Sequence, residues 1–163
     1  MREDWNKFFM DITLKVASRS TCARIKVGAL LVKDKRIISI GYNGVASKKE
    51  HCDDYFENLY INKYMNKYET YNDFLKSNEF YDLHAKFSIN NEIHAEMNSI
   101  LFSARNGVST EGTDLYVSYS PCIHCAKSIL QAGIKNVYYH EKYDRDSSGI
   151  SFLINNSVEC IKI

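Results

Sequence analysis

Two short stretches, His94-Ala95-Glu96 and Pro121-Cys122-Ile123-His124-Cys125, hold the residue types best suited to chemistry. Alone, the first reads equally well as the polar start of a helix. Alone, the second is a redox pair, half of a structural metal site, or two buried thiols. Together they offer more. His94, Cys122 and Cys125 supply three ligands for a tetrahedral zinc, and three protein ligands leave one open position, as catalytic sites do and closed structural sites do not. Glu96, two residues beyond His94, projects differently from a helix, so it can reach a water at that position rather than the metal. Zinc lowers the pKa of such a water to about 7, and Glu96 can take and return its proton.

These residues need elements to position them. Trp5, Phe8, Phe9, Ile12 and Val16 follow helical spacing, which predicts an opening helix that ends near Ser18. Residues 27–32 and 36–44 are β-rich runs around a short polar turn, a hairpin. The segment 47–87 differs in texture: it is crowded with Tyr, Asn, Lys and Asp, shows helical spacing at Tyr55, Leu59 and Asn62, and reads as a partly helical insertion. The spacing then predicts a helix from near Ile93 to about Ala104, stopped by Asn106-Gly107. Residues 114–119 read as a strand, 122–133 as a helix closed by Gly133, and 136–141 as a further strand.

The cysteine pair opens a helix whose positive end favours thiolates, and Pro121, the only proline, fits its first turn. Strand, helix and strand with short connections predict a parallel crossover. A last helix near 148–156 and a β-rich terminal run complete an α/β order, a mixed sheet with helices on both faces.

With 163 residues, 45% of them hydrophobic, the chain can bury one sizeable core, so residues 1–163 are expected to form a single domain carrying the insertion. A formal net charge of +1 argues against a global basic field for nucleic acid. No apolar run approaches the roughly 20 residues that span a bilayer, and the charged start is unlike a signal peptide, so a cytoplasmic location and no membrane partner are expected. Five cysteines, an odd count, suit thiols or metal ligands better than a disulfide framework.

His-x-Glu followed by Pro-Cys-x-x-Cys is the signature of zinc nucleobase deaminases. Within that superfamily the chain resembles the deoxycytidylate (dCMP) deaminases, especially phage-type members. The resemblance is carried by residues 19–32, 41–44, 51–52, 94–107 and 115–139 and by Tyr143. It implies a three-layer αβα cytidine deaminase-like fold with a central mixed five-stranded sheet. It also implies hydrolysis of dCMP to dUMP and ammonia, with attack of zinc-bound hydroxide at C4 of cytosine and Glu96 as proton shuttle, supplying dUMP for dTMP synthesis. His94, Cys122 and Cys125 match the zinc ligands; Asn43, Ala95 and Tyr143 match substrate-contacting positions. Arg24, Lys26 and Arg105 are candidate phosphate partners, although each is equally a plain surface charge.

The resemblance further implies a homo-oligomer, a hexamer being favoured, with dCTP activation and dTTP inhibition, Mg2+ accompanying the effector, and Phe102 and Arg105 at the regulatory site. Some phage members carry a second, structural zinc, and Cys22, Cys52, His84 and Glu92 fall where its ligands would be expected; His51 competes, and a pair of buried thiols is the plain alternative. Cys160 reads as a core thiol. The rival functions are a zinc deaminase acting on dCTP, modified dCMP, free (deoxy)cytidine or transfer RNA adenosine, and a zinc-binding module without activity.

Overall fold

The computed structural model describes residues 2–163, which divide into two compact units, one of residues 2–20, 27–43 and 94–163 and one of 21–26 and 44–93. The first is built on a five-stranded sheet. Helix α1 (Trp5–Ala17) starts at Asp4, whose carboxylate accepts from Asn6 N at 2.9 Å, an ordinary N-cap. Strands β1 (Gly28–Lys33) and β2 (Arg36–Tyr42) form the expected hairpin. Its two-residue loop has positive φ at both Asp34 and Lys35, the primed turn that matches the twist of paired strands.

Strands β5 (Asp114–Tyr119), β6 (Asn136–Glu141) and β7 (Glu159–Lys162) complete the sheet in the order β2-β1-β5-β6-β7. β1 is antiparallel to both neighbours, whereas β5, β6 and β7 are parallel, joined through α6 (Ile123–Gln131) and α7 (Ser148–Asn155). Both faces are covered. Phe9 and Met10 of α1 pack on Leu30, Val32 and Tyr116, while α5 (Ala95–Arg105), α6 and α7 close over Ala29, Leu31, Leu115, Val117 and Val137. This double cover explains why β1 is buried along nearly its whole length instead of alternating.

Gly41 fixes how near α5 lies to β2, because a Cβ there would overlap Ala95 O and the Ser99 backbone. Ser39 Oγ donates to Ser99 O at 2.7 Å on the same side. The first turn of α5, with Ala95 and Glu96, is thereby seated on the sheet.

The second unit is mostly helical: α2 (Cys52–Leu59) runs on into a π-helical turn (Tyr60–Tyr64), followed by α3 (Tyr71–Leu75) and α4 (Asn78–Asn91). Thr70 and Asp73 form a capping box for α3, and Ser77 caps α4 by accepting from Phe80 N at 3.1 Å. Its core is aromatic. Phe56, Phe74 and Phe80 are fully buried, and Tyr64 stacks on Phe74 with centroids 4.9 Å apart at 17°.

Two boundaries differ from the sequence reading. The run 36–44 is broken, since β2 ends at Tyr42 and Gly44–Val45 forms a separate strand β3. Nor does a helix begin near Ile93. Glu92–Ile93 is strand β4, paired antiparallel with β3, and α5 starts only at Ala95. Helical spacing is blind to a two-residue strand whose pairing partner lies far away in sequence.

Candidate functional site

His94 and Cys122 both occupy helix N-cap positions, those of α5 and α6, with extended backbones and no capping hydrogen bond from either side chain. Ser, Thr, Asp or Asn usually stand there and cap. Here the side chains turn to each other instead. Cys122 Sγ and Cys125 Sγ lie 3.6 and 3.4 Å from His94 Nδ1, and the three donor atoms all fall within 4.8 Å of one another. One nitrogen and two sulfurs at this spacing suit a tetrahedral zinc, and no fourth His, Cys, Asp or Glu joins the group among the described residues. Both thiols are buried while His94 is exposed, so the group opens to solvent on the histidine side.

The electrostatics fit a cation. Hydrogen bonding between the two thiols, helped by His94, pulls Cys122 well below the ordinary thiol range and pushes Cys125 above it. A divalent ion would displace the thiol protons on binding. Glu96, in the first turn of α5, is only 4% exposed. Burial raises its carboxyl above the ordinary value, with His94 pulling the other way.

The other candidates are spread more widely. Asn43 is buried, and its Oδ1 accepts from Val27 N at 2.8 Å. Ala95, the first residue of α5, is fully buried. Tyr143 follows β6, donates its backbone N–H to Ser120 Oγ at 2.8 Å, and lines a cavity of about 370 Å³ with Ser120, Tyr139, Lys142 and Ile150. Phe102 and Arg105 sit on the outer face of α5, Phe102 being 54% exposed, so Phe102 is not a core residue. Lys26 is exposed, and the half-buried Arg24 lies over the Tyr81 ring at 5.5 Å.

In the second unit, Cys22, Cys52, His84 and Glu92 bring four donors within 4.8 Å of one another. Cys22 Sγ is 3.2 Å from His84 Nε2 and 3.8 Å from Glu92 Oε2. Hydrogen bonding with Cys52, helped by His84, lowers the Cys22 thiol; the hydrogen bond with Cys22, then burial, raises that of Cys52, and burial raises Glu92. Glu92 Oε1 is buried without a hydrogen-bond partner among the described residues, an orphan acceptor such as a cation satisfies. His51 stays outside, exposed, with Nδ1 3.3 Å from Thr21 Oγ1. Cys160 is half-buried.

One contact escaped the sequence reading. Asp146 Oδ2 accepts from Ile123 N at 2.7 Å, at the start of the helix that carries both cysteines. In sequence, Asp144-Arg145-Asp146-Ser147-Ser148 is a plain polar turn; the only hint is a helix whose N-cap residue is committed elsewhere.

Residues 3–141 match the family described as the cytidine and deoxycytidylate deaminase zinc-binding region. The deoxycytidylate deaminase of Enterobacteria phage T2 is 40% identical over 161 residues, covering 91% of this chain and 86% of that protein. ComE operon protein 2 of Bacillus subtilis is 42% identical over 142 residues, covering 87% of this chain and 62% of that protein. The crystal structure of dCMP deaminase from the cyanophage S-TIM5 in complex with dCMP and dUMP aligns at a TM-score of 0.73 and 29% identity, covering 100% of this chain and 99% of that one.

Proposed function

Because the chain belongs to the cytidine and deoxycytidylate deaminase family, with the mixed five-stranded sheet and flanking helices of that fold, we propose that it hydrolyses dCMP to dUMP with release of ammonia. The observation that carries the reading is the meeting of His94 Nδ1 with the Cys122 and Cys125 sulfurs beside the buried Glu96. His94, Cys122 and Cys125 would hold the zinc. Zinc, when bound, supplies the Lewis acidity that makes water a nucleophile at neutral pH.

The chain's own residues do the rest. Glu96 takes the two protons of the attacking water in turn and passes the first to the ring nitrogen and the second to the departing amine, so that dCMP and water become dUMP and ammonia. A carboxyl raised by burial suits a group that must both accept and donate near neutral pH. Asn43, held by Val27, and Tyr143, held by Ser120, present fixed surfaces to the sugar and the base, and Ala95 offers backbone beside the reacting group.

Cys22, Cys52, His84 and Glu92 would hold a second zinc whose role is structural, a reading supported by four donors and the orphaned Glu92 oxygen. The second unit is then an insertion in a single deaminase domain. Exposed apolar side chains on β2 (Ile37, Ile40, Tyr42) and α5 (Leu101, Phe102) support self-association, with a hexamer the favoured assembly. Phe102 and Arg105 would serve a regulatory site for dCTP with Mg2+, and for dTTP. No helix of the described residues is long and apolar enough to cross a membrane, in keeping with a cytoplasmic enzyme.

The test is ammonia release from dCMP, dCTP, deoxycytidine and a single-stranded DNA oligomer in parallel, with Glu96→Gln as control and dCTP or dTTP added separately. Turnover confined to dCMP and lost in the variant is expected. Zinc-loaded protein that turns over none of them would sink the assignment.

A further inference from the structure

The helix that carries both cysteines has a capping problem. Its N-cap residue is Cys122, and the first backbone N–H groups of any helix lack intrahelical partners. A capping side chain would normally serve them, but the Cys122 sulfur is turned to His94. The missing acceptor comes from 23 residues away, where Asp146 Oδ2 takes the Ile123 N–H at 2.7 Å.

The other oxygen of the same carboxylate is also fixed. Asp146 Oδ1 accepts from Ser148 N at 2.9 Å and from the Ser148 hydroxyl. One carboxylate therefore ties the start of α6 to the start of α7. These bonds hold its pKa below the ordinary aspartate value, so it is a full negative charge at a helix N-terminus, where negative charge is favoured.

A second observation converges on the same turn. A Cβ on Gly149, in the first turn of α7, would overlap Pro121 O and press on the carbonyl group of Cys122. Only a residue without a side chain lets α7 back directly onto the backbone that aims Cys122. Ser120, next along, donates its N–H to Glu141 O at 2.8 Å and accepts from Tyr143 N. Residues 120–123 are thus bracketed by the segment 141–149.

We propose that Asp146 is a positioning residue for the zinc ligands: it supplies the cap that Cys122 cannot, and with Gly149 it fixes the turn from which Cys122 and Cys125 reach the ion. The proposal rests on the reading of His94, Cys122 and Cys125 as zinc ligands. Metal sites depend on such supporting contacts, whose loss typically lowers metal affinity about 10–100-fold.

The test uses the full chain loaded with Co(II), whose absorption bands report thiolate geometry, together with zinc competition against a chromogenic chelator. Asp146→Ala is expected to weaken zinc retention about tenfold and to shift the Co(II) bands. Asp146→Asn, which keeps an acceptor oxygen for Ile123 N–H, should restore most of both. Should Asp146→Ala fail to fold, Gly149→Ala carries the test, with the same shift expected. Wild-type bands and zinc affinity in folded Asp146→Ala, or in Gly149→Ala, would overturn the proposal, even with a lowered Tm. A wild-type chain whose Co(II) bands were the same as those of Cys122→Ser would remove the underlying zinc reading instead, and the two failures are distinguishable.

Discussion

The two units each gather cysteine, histidine and glutamate around one point, yet they do so in opposite ways. In the first, three donors meet with His94 exposed, and the glutamate, Glu96, stands beside the group without belonging to it. In the second, four donors meet, His84 and Glu92 have side chains only 5% and 3% exposed, and the glutamate is one of the donors. A donor set short by one leaves room for chemistry; a complete, enclosed set leaves none. The carboxylate is the sharpest contrast, the proposed proton carrier in one unit and a ligand candidate in the other.

Breaking the open site should give the largest effect. Glu96→Gln keeps size and hydrogen-bonding shape but cannot carry a proton, and the loss of a general acid–base group costs about 10²–10⁴-fold in kcat. Steady-state ammonia release should show that fall with KM little changed, and the variant should still bind one zinc at the cysteines. A Glu96→Gln enzyme within about threefold of wild type would mean that the two glutamates do not differ as argued.

The closed site should answer in stability rather than rate. His84→Ala removes the ring that Cys22 Sγ meets at 3.2 Å and Glu92 Oε2 at 3.8 Å, leaving each of these buried groups short of one partner. Removing one member of a buried charged group costs about 3–5 kcal/mol, and for a chain of this size about 3 kcal/mol lowers Tm by about 10 °C. Calorimetry and metal analysis should show a lowered transition and the loss of one zinc per chain, while kcat per folded molecule stays within about threefold. A variant that kept its Tm and its full metal content would return Cys22 and Cys52 to the status of ordinary buried thiols.

Legibility in sequence divides along the same line. His94, Glu96, Cys122 and Cys125 can be read from type and spacing because each pair is local, a His-x-Glu and a Cys-x-x-Cys, and helix starts are marked by composition. The sheet was readable for a similar reason, since each strand carries its own apolar run and each helix its stop, Gly107 and Gly133 at positive φ. The second cluster is assembled from four separate places, 22, 52, 84 and 92, and no periodicity links them, so only the family resemblance named its residues. Its surroundings hide equally well. An aromatic core built from Phe56, Phe74 and Phe80 does not look like a core in a segment crowded with Tyr, Asn and Lys, and β3–β4 is too short to leave a strand pattern. Asp146 was invisible because a cap supplied from 23 residues away breaks the local rule by which caps are found.

Glu96 also allows a smaller test of how the open site is held before metal enters. Burial raises its folded pKa above 4.5, so the folded metal-free chain binds that proton more tightly than the unfolded one. Its contribution to stability is then fully present below the unfolded pKa and is lost as pH rises through the folded value. Glu96→Gln removes that titration. Denaturant melts of metal-free protein should show the variant more stable than wild type near neutral pH by about 1–3 kcal/mol, the scale of one poorly satisfied buried polar group, with the gap closing toward about pH 4. The least active variant would be the more stable one, the signature of a carboxylate kept for chemistry at a cost to the fold.

The smallest effect should come from the packing around the closed site. Tyr64 stacks on Phe74 at 4.9 Å and 17°, and Phe74 is fully buried among Tyr60, Tyr68 and Phe80. Tyr64→Leu keeps an apolar side chain of similar reach but removes the ring pairing, which is worth about 0.5–1.5 kcal/mol beyond area burial. A Tm lower by about 2–5 °C with unchanged kcat and unchanged metal content is expected. If kcat fell instead with Tm unmoved, the aromatic core would be acting on turnover, and the division between a unit that reacts and a unit that holds would fail at its most modest point.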